Sequence, residues 1–176
     1  MKRKTCAFTG HRPQRFPWKR DETDPRCAAL KAALAERIEA LVQDGFTDFL
    51  SGMAEGADTW AAETVLSLRE TNPALRLHCI LPCRSQAEKW SASARERYRG
   101  ILEQADSVVY VRRTYTRGCM MERNRFLVDH ADLVLAVYDG GARGGTAATV
   151  RYAEKRGRAM KFVMRQEECI QTHRQL

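Results

Sequence analysis

The chain has 176 residues, of which 44% are hydrophobic and 30% charged, and carries a formal net charge of +8. These values fit one soluble globular domain, expected over 1–176. No apolar run approaches the roughly 20 residues that span a bilayer. The basic start "MKRKTCAFTG" has too short an apolar stretch for a secretory signal, so a cytoplasmic protein without membrane contact is expected.

Strand and helix signals alternate along the chain. "TCAFTG" (5–10) reads as a short buried strand. A loop with three prolines (13–25) follows, holding Phe16 and Trp18. It is either a lid that stacks a ring on a ligand or a segment packed on the protein's own surface. From Pro25 to Gly45, Leu30, Leu34, Ile38, Leu41 and Val42 recur at helical spacing and form one apolar stripe. Gly45 suits the stop. "FTDFLSG" (46–52) predicts the second strand, "GADTWAAETVLSLRE" (56–70) a helix, and "LRLHCILP" (75–82) the third strand. A helix is expected over 85–105, a strand over 107–111, and a helix over 119–131. "DLVLAVYD" (132–139) predicts the fifth strand, 145–157 a helix and 159–164 the sixth strand. The tail from 165 has weak signals and is expected to fray. Strands with almost no polar alternation, separated by helices, predict a mostly parallel sheet covered on both faces. The fold class is thus α/β, a Rossmann-like three-layer α/β/α sandwich.

In such sheets ligands bind beyond the carboxyl ends of the strands. The first strand ends in Thr9, Gly10, His11 and Arg12. The second ends in Ser51, Gly52 and Met53, followed by Gly56 and Asp58. The fifth leads into "GGARGGT", with Gly144, Gly145 and Thr146. Glycines next to hydroxyls, before helices whose N-terminal N–H groups are unpaired, suit a phosphate or another anion. A single such loop is equally well a tight turn; three on one sheet edge favour a shared site. Asp58 is either a first-turn carboxylate facing its helix dipole or a contact for a ribose hydroxyl. Arg123 and Asn124, on the helix before the fifth strand, can read a phosphate and a base or lie on the surface. His11 reads as a polar loop residue, with catalysis as the alternative.

Other features carry less. Cys6, Cys27, Cys79, Cys83, Cys119 and Cys169 read as free thiols. His78, Cys79 and Cys83 fit no zinc spacing, so no metal is expected, and no obligatory cofactor. The basic residues are spread along the chain, which predicts weak, unspecific nucleic-acid binding at most.

Together, "FTGHR", "SGMAEGADTWAAE", "QAEKW", "RNRFLVDHADLVLAVYDG" and "GGTAATVRYA" resemble the YpsA-like family of the SLOG superfamily. Relatives there include the Rossmann domain of the DNA-processing protein DprA (Smf) and the LOG phosphoribohydrolases. The resemblance implies a Rossmann-like fold, a nucleotide or nucleotide-derived ligand and a possible homodimer. It supports Ser51, Gly52, Gly56 and Asp58 as pocket residues through the "SGxAxGxD" pattern, and Arg123 through "RNR" and the LOG pattern M-x-x-R, which begins at Met120. LOG enzymes carry a glutamate one turn into the helix after the glycine loop; that place is Thr149 here. The expected function is therefore binding, as a sensor or effector. The alternatives are an N-glycosidase or phosphoribohydrolase and a DprA-like binder of single-stranded nucleic acid. If there is catalysis, Asp58, Asp139 and Arg123 are its candidates.

Overall fold

The computed structural model describes residues 3–164; the tail expected to fray, and Cys169 within it, lie outside them. Six strands form one sheet in the order β4-β3-β2-β1-β5-β6. They are β1 (Lys4–Gly10), β2 (Phe46–Ser51), β3 (Arg76–Leu81), β4 (Ser107–Tyr110), β5 (Leu133–Val137) and β6 (Ala159–Val163). All the neighbouring pairs run parallel. The helices are α1 (Pro25–Gln43), α2 (Ala57–Arg69), α3 (Ala92–Gln104), α4 (Cys119–Asp129) and α5 (Gly145–Lys155).

Side chains alternate across the sheet with the period of two that strands impose. Cys6, Phe8, Phe49, Leu77, Cys79, Leu135 and Val137 face one layer with α1, α2 and α3. Ala7, Leu50 and Ile80 meet Leu127 of α4 on the other face, where Ala136 and Val134 pack on α5. Phe8 and Phe49 stack at 5.7 Å between centroids, and burying each ring is worth roughly 1.5–3 kcal/mol. α1 starts where Pro25 occupies the first turn and the Asp24 carboxylate accepts from the Arg26 N–H at 2.8 Å. Its buried stripe is Leu30, Leu34, Ile38 and Leu41, and the chain turns away at Gly45 with φ +89°.

Two departures from expectation have local causes. The helix expected from 85 begins only at Ala92, because the Ser91 hydroxyl caps it by accepting from the Ala94 N–H at 3.2 Å. Residues 84–89 instead form turns, with Glu88 N–H bonded to the Ser85 carbonyl. The 13–25 loop is no open lid. It starts as a 3-10 turn at Pro13–Arg15, and Phe16 is buried, stacked on Trp18 at 4.9 Å and against Trp60 at 5.5 Å. The five cysteines among the described residues are buried free thiols.

β1 lies between β2, which continues leftward through β3 and β4, and β5, which follows a crossover to the other side. The sheet therefore changes direction between β1 and β5, where the loops leaving the two strands part and open a crevice. Gly10, the last residue of β1, sits in the tightest part of this junction. A Cβ there would lie 2.5 Å from the Ala57 Cβ and 2.9 Å from the Val137 Cβ. Gly10→Ala is expected to lower stability by about 1–3 kcal/mol, the cost of overpacking, read from urea unfolding; an unchanged midpoint would contradict this packing account.

Candidate functional site

A cleft of about 460 Å³ opens at the switch point. The loop after β1 contributes Thr9, Gly10, His11 and Arg12, and the 3-10 turn adds Gln14 and Arg15. The β2–α2 turn contributes Ala54 and Asp58, α4 contributes Arg123 and Asn124, and the loop into α5 contributes Arg143, Gly144, Gly145 and Thr146. Ten of the fourteen sequence candidates are thereby brought together.

Ser51, Gly52, Met53 and Gly56 do not line the cleft; they build its wall. The Ser51 hydroxyl donates to the Asp58 carbonyl at 3.0 Å and accepts from the Met53 N–H at 3.1 Å, so its polar capacity is spent inside the turn. Met53 is fully buried with φ +56°, a conformation uncommon outside glycine. Gly52 passes so close to Arg123 that a Cβ would stand 2.5 Å from its Nη1. Gly56 has φ +89°, and a Cβ there would meet the His11 carbonyl at 2.8 Å. At both glycines the close approach of neighbouring groups leaves no room for a Cβ.

Positive potential converges on the cleft from several sources. α5 begins at Gly145 without a side-chain cap, and Gly144 before it has φ +105°. Its first-turn N–H groups and dipole end are thus open to an anion. Arg12, Arg15 and Arg143 stand around the rim. Arg123 is 3% exposed. It donates from Nη1 to the Gly52 carbonyl and from Nε to the Asn124 side-chain oxygen at 2.7 Å. Burial pulls its guanidinium below the usual value, opposed by the Asp58 charge.

Asp58 is the counterpart. Its Oδ2 accepts from the Ala54 N–H at 3.3 Å, while its Oδ1 is buried with no hydrogen-bond partner. Burial pushes this carboxyl up, against the pull of Arg123. An unpaired buried oxygen costs about 1–3 kcal/mol.

The other carboxylates turn elsewhere. Asp139 lies 3.0 Å from His11 Nε2 and 3.3 Å from Arg15 Nε. Although partial burial works against ionisation, the Gly141 N–H and His11 hold its carboxyl down at about 2. Glu122 pairs with Arg112 at 2.7 Å on the surface. Thr149 is buried and donates to the Gly145 carbonyl at 2.9 Å inside α5. In a second cavity of about 250 Å³, lined in part by Trp90 and Arg97, most of the charged groups are paired, Arg20 with Glu55 at 3.0 Å among them. Arg97 binds Glu22 at 2.6 Å and Glu63 at 2.5 Å.

Gln14, Arg15, Ala54 and Arg143 line the cleft without having been singled out in the sequence. Arg143 was the visible one: a cation embedded in "GGARGGT".

The sequence model of the YspA SLOG family (YpsA) matches residues 6–168. The chain belongs to this family. A UPF0398 protein of Bacillus pumilus (strain SAFR-032) is 38% identical over 154 residues, 86% of this chain and 82% of its own length. One from Bacillus thuringiensis (strain Al Hakam) is 33% identical over 157 residues, 88% and 84% of the two chains. Among solved structures, DNA processing protein A from Helicobacter pylori superposes with a TM-score of 0.60 at 18% identity. It covers 90% of this SLOG-family chain, which spans only 64% of the Helicobacter one, a protein described for its single-stranded DNA binding mode. At that identity the likeness is one of fold.

His11 gives a pH test. Burial holds its imidazole below the usual value, against the pull of Asp139. The unfolded chain takes up this proton near pH 6.5, so the stabilisation is complete above that pH and is lost as pH falls toward the folded value. Urea midpoints should therefore fall between about pH 7 and 5 more steeply for the wild type than for His11→Gln. Equal slopes would contradict a neutral, buried His11.

Proposed function

We propose that this chain binds a nucleotide or nucleotide-derived small molecule in the switch-point cleft, as a sensor or effector. The observation that carries the reading is the pairing of opposite needs in one cavity. An uncapped helix N-terminus and arginines ask for an anion, and across from them the unpaired Asp58 Oδ1 asks for a donor. A phosphate joined to a hydroxylated sugar meets both. Membership of the SLOG family supports the same class of ligand.

Turnover is the less favoured reading. Cleaving an N-glycosidic bond develops positive charge on the ribose, which a placed carboxylate stabilises. The position that holds glutamate in LOG enzymes is Thr149, sealed within α5. Asp58 is the one carboxylate that lines the cleft among the described residues.

Calorimetric titration with AMP, ADP-ribose and NAD should show saturable binding of at least one of them. Arg12→Ala and Thr146→Ala should each weaken it about tenfold, the loss of one charge-assisted or well-placed hydrogen bond. No binding by any nucleotide would overturn the proposal. Release of free base from AMP, GMP, CMP and IMP should stay at the blank rate. Brisk release, abolished by Asp58→Asn, would make the chain an enzyme and Asp58 its carboxylate.

A further inference from the structure

β4 does not behave as the buried strand its composition predicts. It is the outermost strand of the sheet, and Val108, Val109 and Tyr110 are all exposed, Tyr110 by 40%. The chain then continues as "VRRTYTRG" into α4. Tyr115, in the middle of that loop, is 65% exposed, and Arg113 and Arg117 flank it, both exposed. Native edge strands are normally short, charged or covered. This one is short, but it is uncharged and ends in the open Tyr110, and the loop after it adds the open Tyr115 beside a concentration of arginine.

The arginines are not confined to the loop. A groove of about 600 Å³ between the 84–88 turn and α3 is lined by Arg84, Arg95 and Arg99, with Ala87 and Tyr98 beneath them. Arg84 also lies over the Tyr110 ring at 5.5 Å and so joins the groove to the strand. Glu88 lines the groove, Glu122 pairs with Arg112, and Glu96 and Glu103 are exposed on α3 beside Arg95 and one turn beyond Arg99. These four carboxylates, one of them already paired, leave Arg84, Arg95, Arg99, Arg113 and Arg117 in excess. The groove shares no lining residue with the switch-point cleft.

Alternation of exposed aromatic rings with arginines suits a flexible polyanion whose bases are free to stack. Each ring offers a face to a base, and each guanidinium a fork to a phosphate or a plane to a base. A duplex keeps its bases stacked on one another and would use the charges alone. We propose that the β4 edge, the 112–117 loop and the Arg84–Arg99 groove form a surface for single-stranded nucleic acid, separate from the nucleotide cleft. The even spread of basic residues along the sequence hides this surface, because the fold gathers residues 84, 95, 99 and 110–117 at one end of the sheet.

The test is fluorescence anisotropy of a labelled oligothymidylate at physiological salt, with a duplex of equal length as competitor. The wild type should bind the single strand and prefer it to the duplex. Tyr115→Ala, an exposed change that leaves folding intact, should weaken binding about tenfold without altering the salt dependence, as loss of one stacked base requires. Arg113→Ala and Arg117→Ala should each flatten the log–log salt slope by about 0.7, the single-strand value for one phosphate contact. Arg76→Ala, at the opposite strand ends, should change nothing.

Absence of binding, or preference for the duplex, would overturn the proposal. So would loss of binding through Arg12→Ala or Arg143→Ala with none through Tyr115→Ala, which would place the strand in the cleft. Sedimentation supplies the remaining check: a dimer broken by Tyr110→Ala would assign the edge to a second copy of the chain and overturn it as well. Nucleotide binding in the cleft should survive the β4-side variants, so failure here leaves the cleft reading standing.

Discussion

The molecule is organised around a place where no side chain fits. At Gly10 the end of β1 is pressed between the first residue of α2 and the end of β5. The backbone on either side is tied down in both directions: His11 N–H donates to the Val137 carbonyl at 3.1 Å, and Ala57 N–H to the His11 carbonyl at 3.3 Å. The first bond joins β1 to β5 across the switch point and holds the loops leaving them together at the floor of the cleft; the second ties the β1 loop to the start of α2. Gly56, whose own Cβ would strike the His11 carbonyl, is a second consequence of the same closeness.

Around this junction the electrostatics are arranged in depth. The rim arginines are exposed and solvated, and each contributes little to stability. Arg123 and Asp58 are buried, and the environment shifts both against their charged forms. A buried charge is tolerated when its hydrogen bonds are met. Arg123 meets them through the Gly52 carbonyl and Asn124, whereas Asp58 leaves Oδ1 unmet. The floor of the cleft is therefore preset: Arg123 is held by its partners and Asp58 keeps one oxygen unmet. On the proposed reading, a ligand that donates to Asp58 would gain from that preorganisation.

Much of the fold was legible because long apolar runs and helical stripes are strong signals: "DLVLAVYD" and the Leu30–Leu41 stripe could be little else. The start of α3 was not, since "SQAEKW" contains no breaker and the deciding cap, Ser91, is one serine among several. At the site, polar residues in a glycine-bearing turn look alike in sequence whether they face a ligand or their own backbone. Thr9 and Thr146 face the cleft, while Ser51 turns inward to hold the α2 turn. Spacing within one loop cannot separate these cases, because the answer depends on which neighbouring strand end closes over it. Exposure at β4 was equally hidden. "SVVYV" has the composition of a central strand, and only the order of the sheet places it at the edge.

The central claim is that an anionic nucleotide-like ligand sits on the α5 N-terminus at the switch point. Backbone amide NMR measures this most directly, by chemical-shift change on addition of the nucleotide that binds. The account predicts the largest shifts at Gly10–Arg12 and Gly144–Thr146, with smaller ones at Asp58 and Arg123 and none along α3 or β4. Shifts centred on α3 and β4, with the Gly144–Thr146 amides unmoved, would contradict it.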